Sequence, residues 1–280
     1  MFRLLLFLFC LPLFTSGQTL RFIIADPVAV NTSPTGPQIV ATGPSAFTEV
    51  IARQGIDWSA QGLKRMPSAL DTLGWRPYVD LRDNRLRKLP ERASTMRVDT
   101  LLLSGNRLGH RMQRTNAWMH RPSKATAGLP RAVSYLDASH NELTWFQLTG
   151  LPNATYVDLS WNDITSCYGA GCKGSNVKLD TLILRGNALT ELNASFEGFG
   201  GLRYLDASNN NITGKGQLRA KYMRSLEVLD LSNNNISKVS RKWRRFPSLR
   251  TIDLRGNPLN EKEAERARSM FAPGVEVLTD

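Results

Sequence analysis

Asp137, Ser139 and His140 stand within one short stretch, "LDASHNEL", and are the three side-chain types of a proton relay that makes a serine nucleophilic. Their spacing does not build one. In an extended segment Asp137 and Ser139 share a face, and His140, next in sequence, points elsewhere. His110, His120 and His140 lack the intervals of a metal-ligand set, and no glycine loop that would cradle phosphate is present. No cofactor is implied. Cys167 and Cys172, in "SCYGAGCKG", are close enough for one disulfide, which over so short a loop would contribute about 2 kcal/mol. Without further Cys or His nearby they do not make a zinc site. The chemistry left to this chain is recognition, and recognition needs a surface.

That surface must be built by the elements carrying these residues, and their rhythm is unusual. In "SLEVLDLSNNNISKVS", residues 225–240, Leu226, Leu229, Leu231 and Ile236 fall at intervals of neither a helix nor a simple strand, with Asn234 between the last two. The pattern L-x-x-L-x-L-x-x-N-x-L returns centred on Asn84, Asn106, Asn141, Asn162, Asn187, Asn210, Asn234 and Asn257, and a degenerate copy puts Gln61 at the same point. The intervals are 23, 22, 35, 21, 25, 23, 24 and 23 residues. The L-x-L core reads as a short strand. Its inward residues stack as two columns, Val79, Leu101, Leu136, Val157, Leu182, Leu205, Leu229 and Ile252 beside Leu81, Leu103, Ala138, Leu159, Leu184, Ala207, Leu231 and Leu254. A single repeat cannot bury them, but stacking does. The asparagine amide offers donors and an acceptor to backbone groups that the turn leaves unpaired, so the asparagines should form a ladder.

These motifs resemble the leucine-rich repeat superfamily over about residues 50–278, and the resemblance implies an α/β solenoid with a curved parallel sheet on its concave face and about nine repeats. "IDWSAQGLKRMP" resembles the N-terminal flank of extracellular members, without the cysteines usual there. "RGNPLNEKEAERARSMFAPGVEVLTD" predicts a helix over about 261–270 and a last edge strand, expected to cap the solenoid. The expected order is thus a lead at 18–48, repeats at 49–260 and a cap at 261–280. The lead holds Pro27, Pro34, Pro37 and Pro44 and reads as extended, although "RFIIADPVAV" could add an edge strand.

Alternation puts the residues between core positions on the concave face. One column holds Tyr78, Tyr135, Tyr156 and Tyr204 with threonines and Val228. The next holds Asp80, Asp137, Asp158, Asp206 and Asp230, and a third is Ser or Arg. Tyrosines flanked by acids suit a protein partner, because a large ring with few rotors costs little to order. The acid column also serves solubility. The formal charge of +12 must then lie elsewhere. An insertion at 107–131 carries six Arg or Lys and no acid, and a second set comprises Lys215, Arg219, Lys221, Arg224, Lys238, Arg241, Lys242, Arg244 and Arg245. This second set reads either as a solvated outer face or as a site for an acidic polysaccharide or anionic surface, in preference to nucleic acid.

At the N-terminus, Arg3 precedes an apolar run from Leu4 to Phe14 and "TSGQ", the form of a signal peptide cleaved after Gly17 and too short to span a bilayer. The mature protein is expected to be secreted and extracellular. Sequons at Asn31, Asn153, Asn193, Asn211 and Asn235 fit a glycoprotein. What the resemblance implies is protein binding in adhesion, immune recognition or pathogen–host contact, without catalysis. Two alternatives stay open: a secreted effector acting on a host, and an inhibitor of an extracellular enzyme. The first lacks its arginine-x-leucine-arginine signal, and the plant-type inhibitor motif L-x-G-x-I-P is replaced by "NNISKVS" and "NRLRKLP".

Overall fold

Leucines at strand spacing and asparagines at turn spacing generate one repeated unit, and the computed structural model stacks it in register. It describes residues 29–33, 36–40, 55–68, 74–109, 129–147, 151–168, 178–192, 199–213, 218 and 222–280. In chain order the strands are β1 (Ala29–Ser33), β2 (Gly36–Val40), β3 (Ile56–Asp57), β4 (Arg76–Asp80), β5 (Val98–Leu102), β6 (Tyr135–Asp137) and β7 (Trp145–Gln147). They continue as β8 (Tyr156–Asp158), β9 (Ser166–Tyr168), β10 (Thr181–Ile183), β11 (Tyr204–Asp206), β12 (Val228–Asp230), β13 (Thr251–Asp253) and β14 (Glu276–Leu278). The helix α1 spans Glu261–Met270.

Ten of these strands form one parallel sheet in the order β14-β13-β12-β11-β10-β8-β6-β5-β4-β3. Each pairs with the next copy at the same motif position: Val157 opposite Leu182, Leu182 opposite Leu205, Leu205 opposite Leu229. The 35-residue interval does not interrupt the stack, because β5 and β6 pair directly with Thr100 opposite Tyr135. The insertion's residues 110–128 lie outside the described residues. Both predicted leucine columns are buried. Phe146, Phe199 and Trp243 fill the core behind them. β7 and β9 make a separate two-stranded parallel sheet beyond the asparagines of two neighbouring repeats.

The asparagine ladder is complete from Asn84 to Asn257. Asn187 is representative: its amide nitrogen donates to the carbonyls of Leu184 and, one repeat back, Leu159, at 2.9 and 3.0 Å. Its oxygen accepts from the Ile164 N–H at 2.9 Å. Each amide therefore ties two repeats together while satisfying groups that no strand partner reaches. Gln61 keeps the position but not the pattern. Its side-chain amide donates to the Ser59 carbonyl, and its own N–H reaches Asn84.

The residue before each asparagine carries a second regularity. Asp83, Gly105, His140, Trp161, Gly186, Asn209, Asn233 and Gly256 all have positive φ, as does Ala60 before Gln61. The chain must reverse sharply to aim the amide inward, and this left-handed step does it. Glycine, Asn, Asp and His tolerate it, whereas a tryptophan is an outlier.

At the C-terminal end Asn260 caps α1 by accepting the Glu263 N–H at 2.9 Å. β14 then adds the expected last edge strand beside the nine repeat strands of the sheet. At the N-terminal end β1, which shares only Ala29 and Val30 with "RFIIADPVAV", pairs antiparallel with β2 as a hairpin and does not join the main sheet, because its nearest partner in sequence closes a much shorter loop; residues 21–28 of that stretch lie outside the described residues.

Candidate functional site

The concave face is a lattice whose rows are set by strand pairing. Tyr135 and Tyr156 occupy the same position of β6 and β8, so their rings stack, centroids 4.3 Å apart and planes 5° from parallel. Thr181 separates this pair from Tyr204, and Thr100 separates it from Tyr78. All four rings are half-buried. Tyr78 also packs over Gly55, where a Cβ would come within 2.1 Å of its ring. Burial, reinforced by neighbouring carboxylates, raises the hydroxyls: Tyr78, Tyr135 and Tyr204 to about 12, and Tyr156 in the same direction. They are neutral rings with a polar tip at any physiological pH.

The aspartates beside them have a structural duty. Asp137 accepts the Ser139 N–H and hydroxyl at 3.0 and 2.7 Å, and Asp206 accepts those of Ser208 at 2.9 and 2.6 Å. Asp158 and Asp230 each accept the N–H two residues on. Asp80 is held by Arg82 in a forked pair, and Asp253 by Arg255. Each carboxylate thus ends its strand by capping the N–H two residues on. Asp158 is so enclosed that burial raises it to about 6, with hydrogen bonds from Ser160 opposing and the charges of Asp137 and Asp206 adding to the rise. Burial raises Asp206 as well.

The Ser139 hydroxyl is given to Asp137, and His140 stacks on Trp161, centroids 6.0 Å apart. The three residues that suggested a relay make no proton path. Among the described residues no group of three His, Cys, Asp or Glu could hold a metal ion.

Trp161 is not singled out by sequence reasoning. With Trp75 it is one of two exposed large apolar side chains among the described residues, 46% accessible, and its ring lies over Gly186. The available signal was a bulky aromatic in the slot before the ladder asparagine, where other repeats hold small or turn-forming residues.

Of the basic set, Lys215, Arg219 and Lys221 lie outside the described residues. Arg224, Lys238, Arg241, Lys242, Arg244 and Arg245 are exposed. A turn of 3-10 helix at Trp243–Arg245 buries Trp243 and leaves Arg244 and Arg245 exposed. Cys172 lies outside the described residues, as does the side chain of Cys167, and so does the expected disulfide. Among the sequons Asn211 and Asn235 are exposed and Asn153 half-exposed, while Asn193 and the side chain of Asn31 are outside the described residues. Among the described residues no helix is long and apolar enough to cross a membrane.

Two family models match: "Leucine rich repeat" over residues 217–259 and "Leucine Rich Repeat" over 201–218. No curated protein matches the chain. Among solved structures, a leucine-rich repeat protein of Leptospira interrogans superposes with a TM-score of 0.64 at 24% identity, over 80% of this chain and 54% of its own. The chain therefore spans about half the length of that protein.

Proposed function

We propose that this leucine-rich repeat protein is a secreted recognition module that captures a protein partner on its concave face and carries no catalysis of its own. The observation that carries the reading is the Tyr135–Tyr156 stack with Tyr204 two strands away, presented on a sheet whose backbone is tied by the ladder. Such a surface is rigid before binding, so little order is lost when a partner covers it. Proteins of this repeat class generally bind other proteins, which supports the same reading. The signal-type N-terminus and the sequons support export and glycosylation. A host-directed effector and an inhibitor of an extracellular enzyme are both forms of this capture.

The test is capture from the native extracellular fluid by the wild-type protein and by a variant with Tyr135, Tyr156 and Tyr204 changed to Ser. A defined partner lost from the variant supports the reading. Equal capture by both, or turnover of a glycan, ester or peptide by the purified protein, overturns it. A second ligand is favoured by a separate observation. Arg241, Lys242, Arg244 and Arg245 are exposed on one short segment and make no ion pair among the described residues. This patch suits an acidic polysaccharide or an anionic surface.

A further inference from the structure

Arginine occupies the last concave position of three repeats, as Arg82, Arg185 and Arg255. In two of them the residue two places earlier is an aspartate on the same face, and the guanidinium closes on it. Arg82 gives Asp80 bonds of 2.7 to 3.1 Å, and Arg255 gives Asp253 bonds of 2.5 to 3.2 Å. In the third the residue is Ile183, buried in the sheet. Arg185 is exposed and makes no side-chain hydrogen bond or ion pair among the described residues. It acts on Asp206 and Tyr204 only through space. The flanking carboxylates are committed elsewhere, Asp158 to Ser160 and Asp206 to Ser208.

Trp161 stands beside it. Its backbone N–H donates to the Arg185 carbonyl at 2.8 Å, and its indole covers Gly186, where a Cβ would come within 2.5 Å of the ring. It holds φ of 55° and remains 46% exposed. A bulky residue in a left-handed conformation stores strain, and strain of this kind collects at binding sites. Trp and Arg are also the residue types most enriched where interface energy concentrates.

We infer that Arg185 and Trp161 anchor the protein partner and take an Asp or Glu side chain from it, the carboxylate that this repeat lacks. The inference rests on the reading that the concave face captures a protein. Arg82 and Arg255 show the bond the guanidinium makes at this register, a forked pair that matches a carboxylate in direction as well as charge. The indole beside it packs on the apolar neighbours of the acidic residue, and Tyr156 and Tyr204 flank the site from the strands on either side.

The test uses the full chain and a phage-displayed library of random peptides, panned on the wild-type protein. The expected clones are enriched in Asp or Glu. They should lose at least about tenfold in binding to Arg185→Ala and to Trp161→Asn, the loss typical of interface anchors, and bind Arg255→Ala unchanged. Ile183→Asp keeps the arginine but supplies a carboxylate within the chain, so it should also abolish binding. Arg185→Glu should select basic peptides instead. Melting curves of each variant identify any that fails to fold, and Arg185→Glu and Ile183→Asp, which act in opposite chemical ways, serve as independent arms. Clones that bind Arg185→Ala as well as wild type, clones without acidic enrichment, or no clone that Arg185 controls would each overturn the inference. Clones that need the tyrosines but not Arg185 overturn the anchor and leave the concave-face reading standing. Clones indifferent to both overturn the two together.

Discussion

Two kinds of polar side chain are consumed by the backbone, the ladder asparagine and, in most repeats, the strand-end aspartate, and they differ in what their loss would do. Asn187 is buried and bonds across two repeats, whereas Asn235, one residue past the ladder, is exposed. Asn187→Ala strands several buried backbone groups and should cost about 1–3 kcal/mol, while Asn235→Ala should cost little. Chemical denaturation of the two variants measures the difference, and equal midpoints would contradict the ladder's role. Asp158 behaves in the opposite sense. Its carboxyl sits at about 6, above the ordinary value of 3.8, so the folded state holds this proton more tightly than the unfolded one. Its contribution is therefore favourable at low pH and is lost as pH rises through about 6. Asp158→Asn, which keeps an oxygen for the Ser160 N–H, should melt higher than wild type near pH 7. That advantage should shrink as pH falls toward about 4. An advantage that grew on acidification would reverse the sign. Trp161 adds a case where stability and binding part company: Trp161→Gly removes a left-handed tryptophan and should raise stability by about 1 kcal/mol, because the positive φ no longer carries a Cβ. A lowered melting point would mean that the ring's contacts with His140 and Gly186 outweigh the strain.

At the scale of elements, ends matter more than middles, since a solenoid has no closed core. α1 buries Ala264 and Ala267 and sends the chain into β14, which covers the open edge of β13. The side-chain cap of α1 is Asn260. Asn260→Ala should cost about 0.5–2 kcal/mol, and amide exchange in 251–280 should speed up before that in β6 to β10. Uniform acceleration along the chain would show that the solenoid opens as one unit instead. The helix and the last strand were both legible beforehand, because acids at the start, bases at the end and a following "GVEVL" are local signals. The hairpin β1–β2 was not. The prolines in the lead suggested an extended segment, and only a partner strand reveals an edge.

At the scale of the molecule two surfaces stand apart. The concave face carries tyrosines and engaged aspartates together with Arg82, Arg185 and Arg255, while Arg241, Lys242, Arg244 and Arg245 lie outside the core on the 3-10 turn and its approach. Changing those four to Ser should weaken binding to a heparin-like polymer and reduce its salt dependence, since exposed charges act by screened long-range attraction. The Tyr135, Tyr156 and Tyr204 variant should keep polymer binding and lose the protein partner. Titration of both variants with both ligands checks the assignment, and a crossed result would exchange the two faces.

Periodicity alone determined the solenoid. Which residues face the core depends on spacing along the chain, and every leucine and asparagine assigned that way took its place. The adjacency of Tyr135 and Tyr156 also followed, because strands paired in register must align equal motif positions, whereas the parallel stacking of their rings is set by the fold. Tertiary structure decided the roles of the charged residues. Whether Asp137 faces a ligand or its own Ser139 N–H depends on an angle at the strand end, which no residue type specifies. Whether an arginine is paired depends on the residue two places before it and on both side chains lying on one face, so the sequence already separates Arg82, after Asp80, from Arg185, after Ile183, but only the fold shows the guanidinium closing on the carboxylate. Trp161 became visible only as an exposed ring on a left-handed backbone, because conformation and accessibility come from the turn that the neighbouring repeats impose on it.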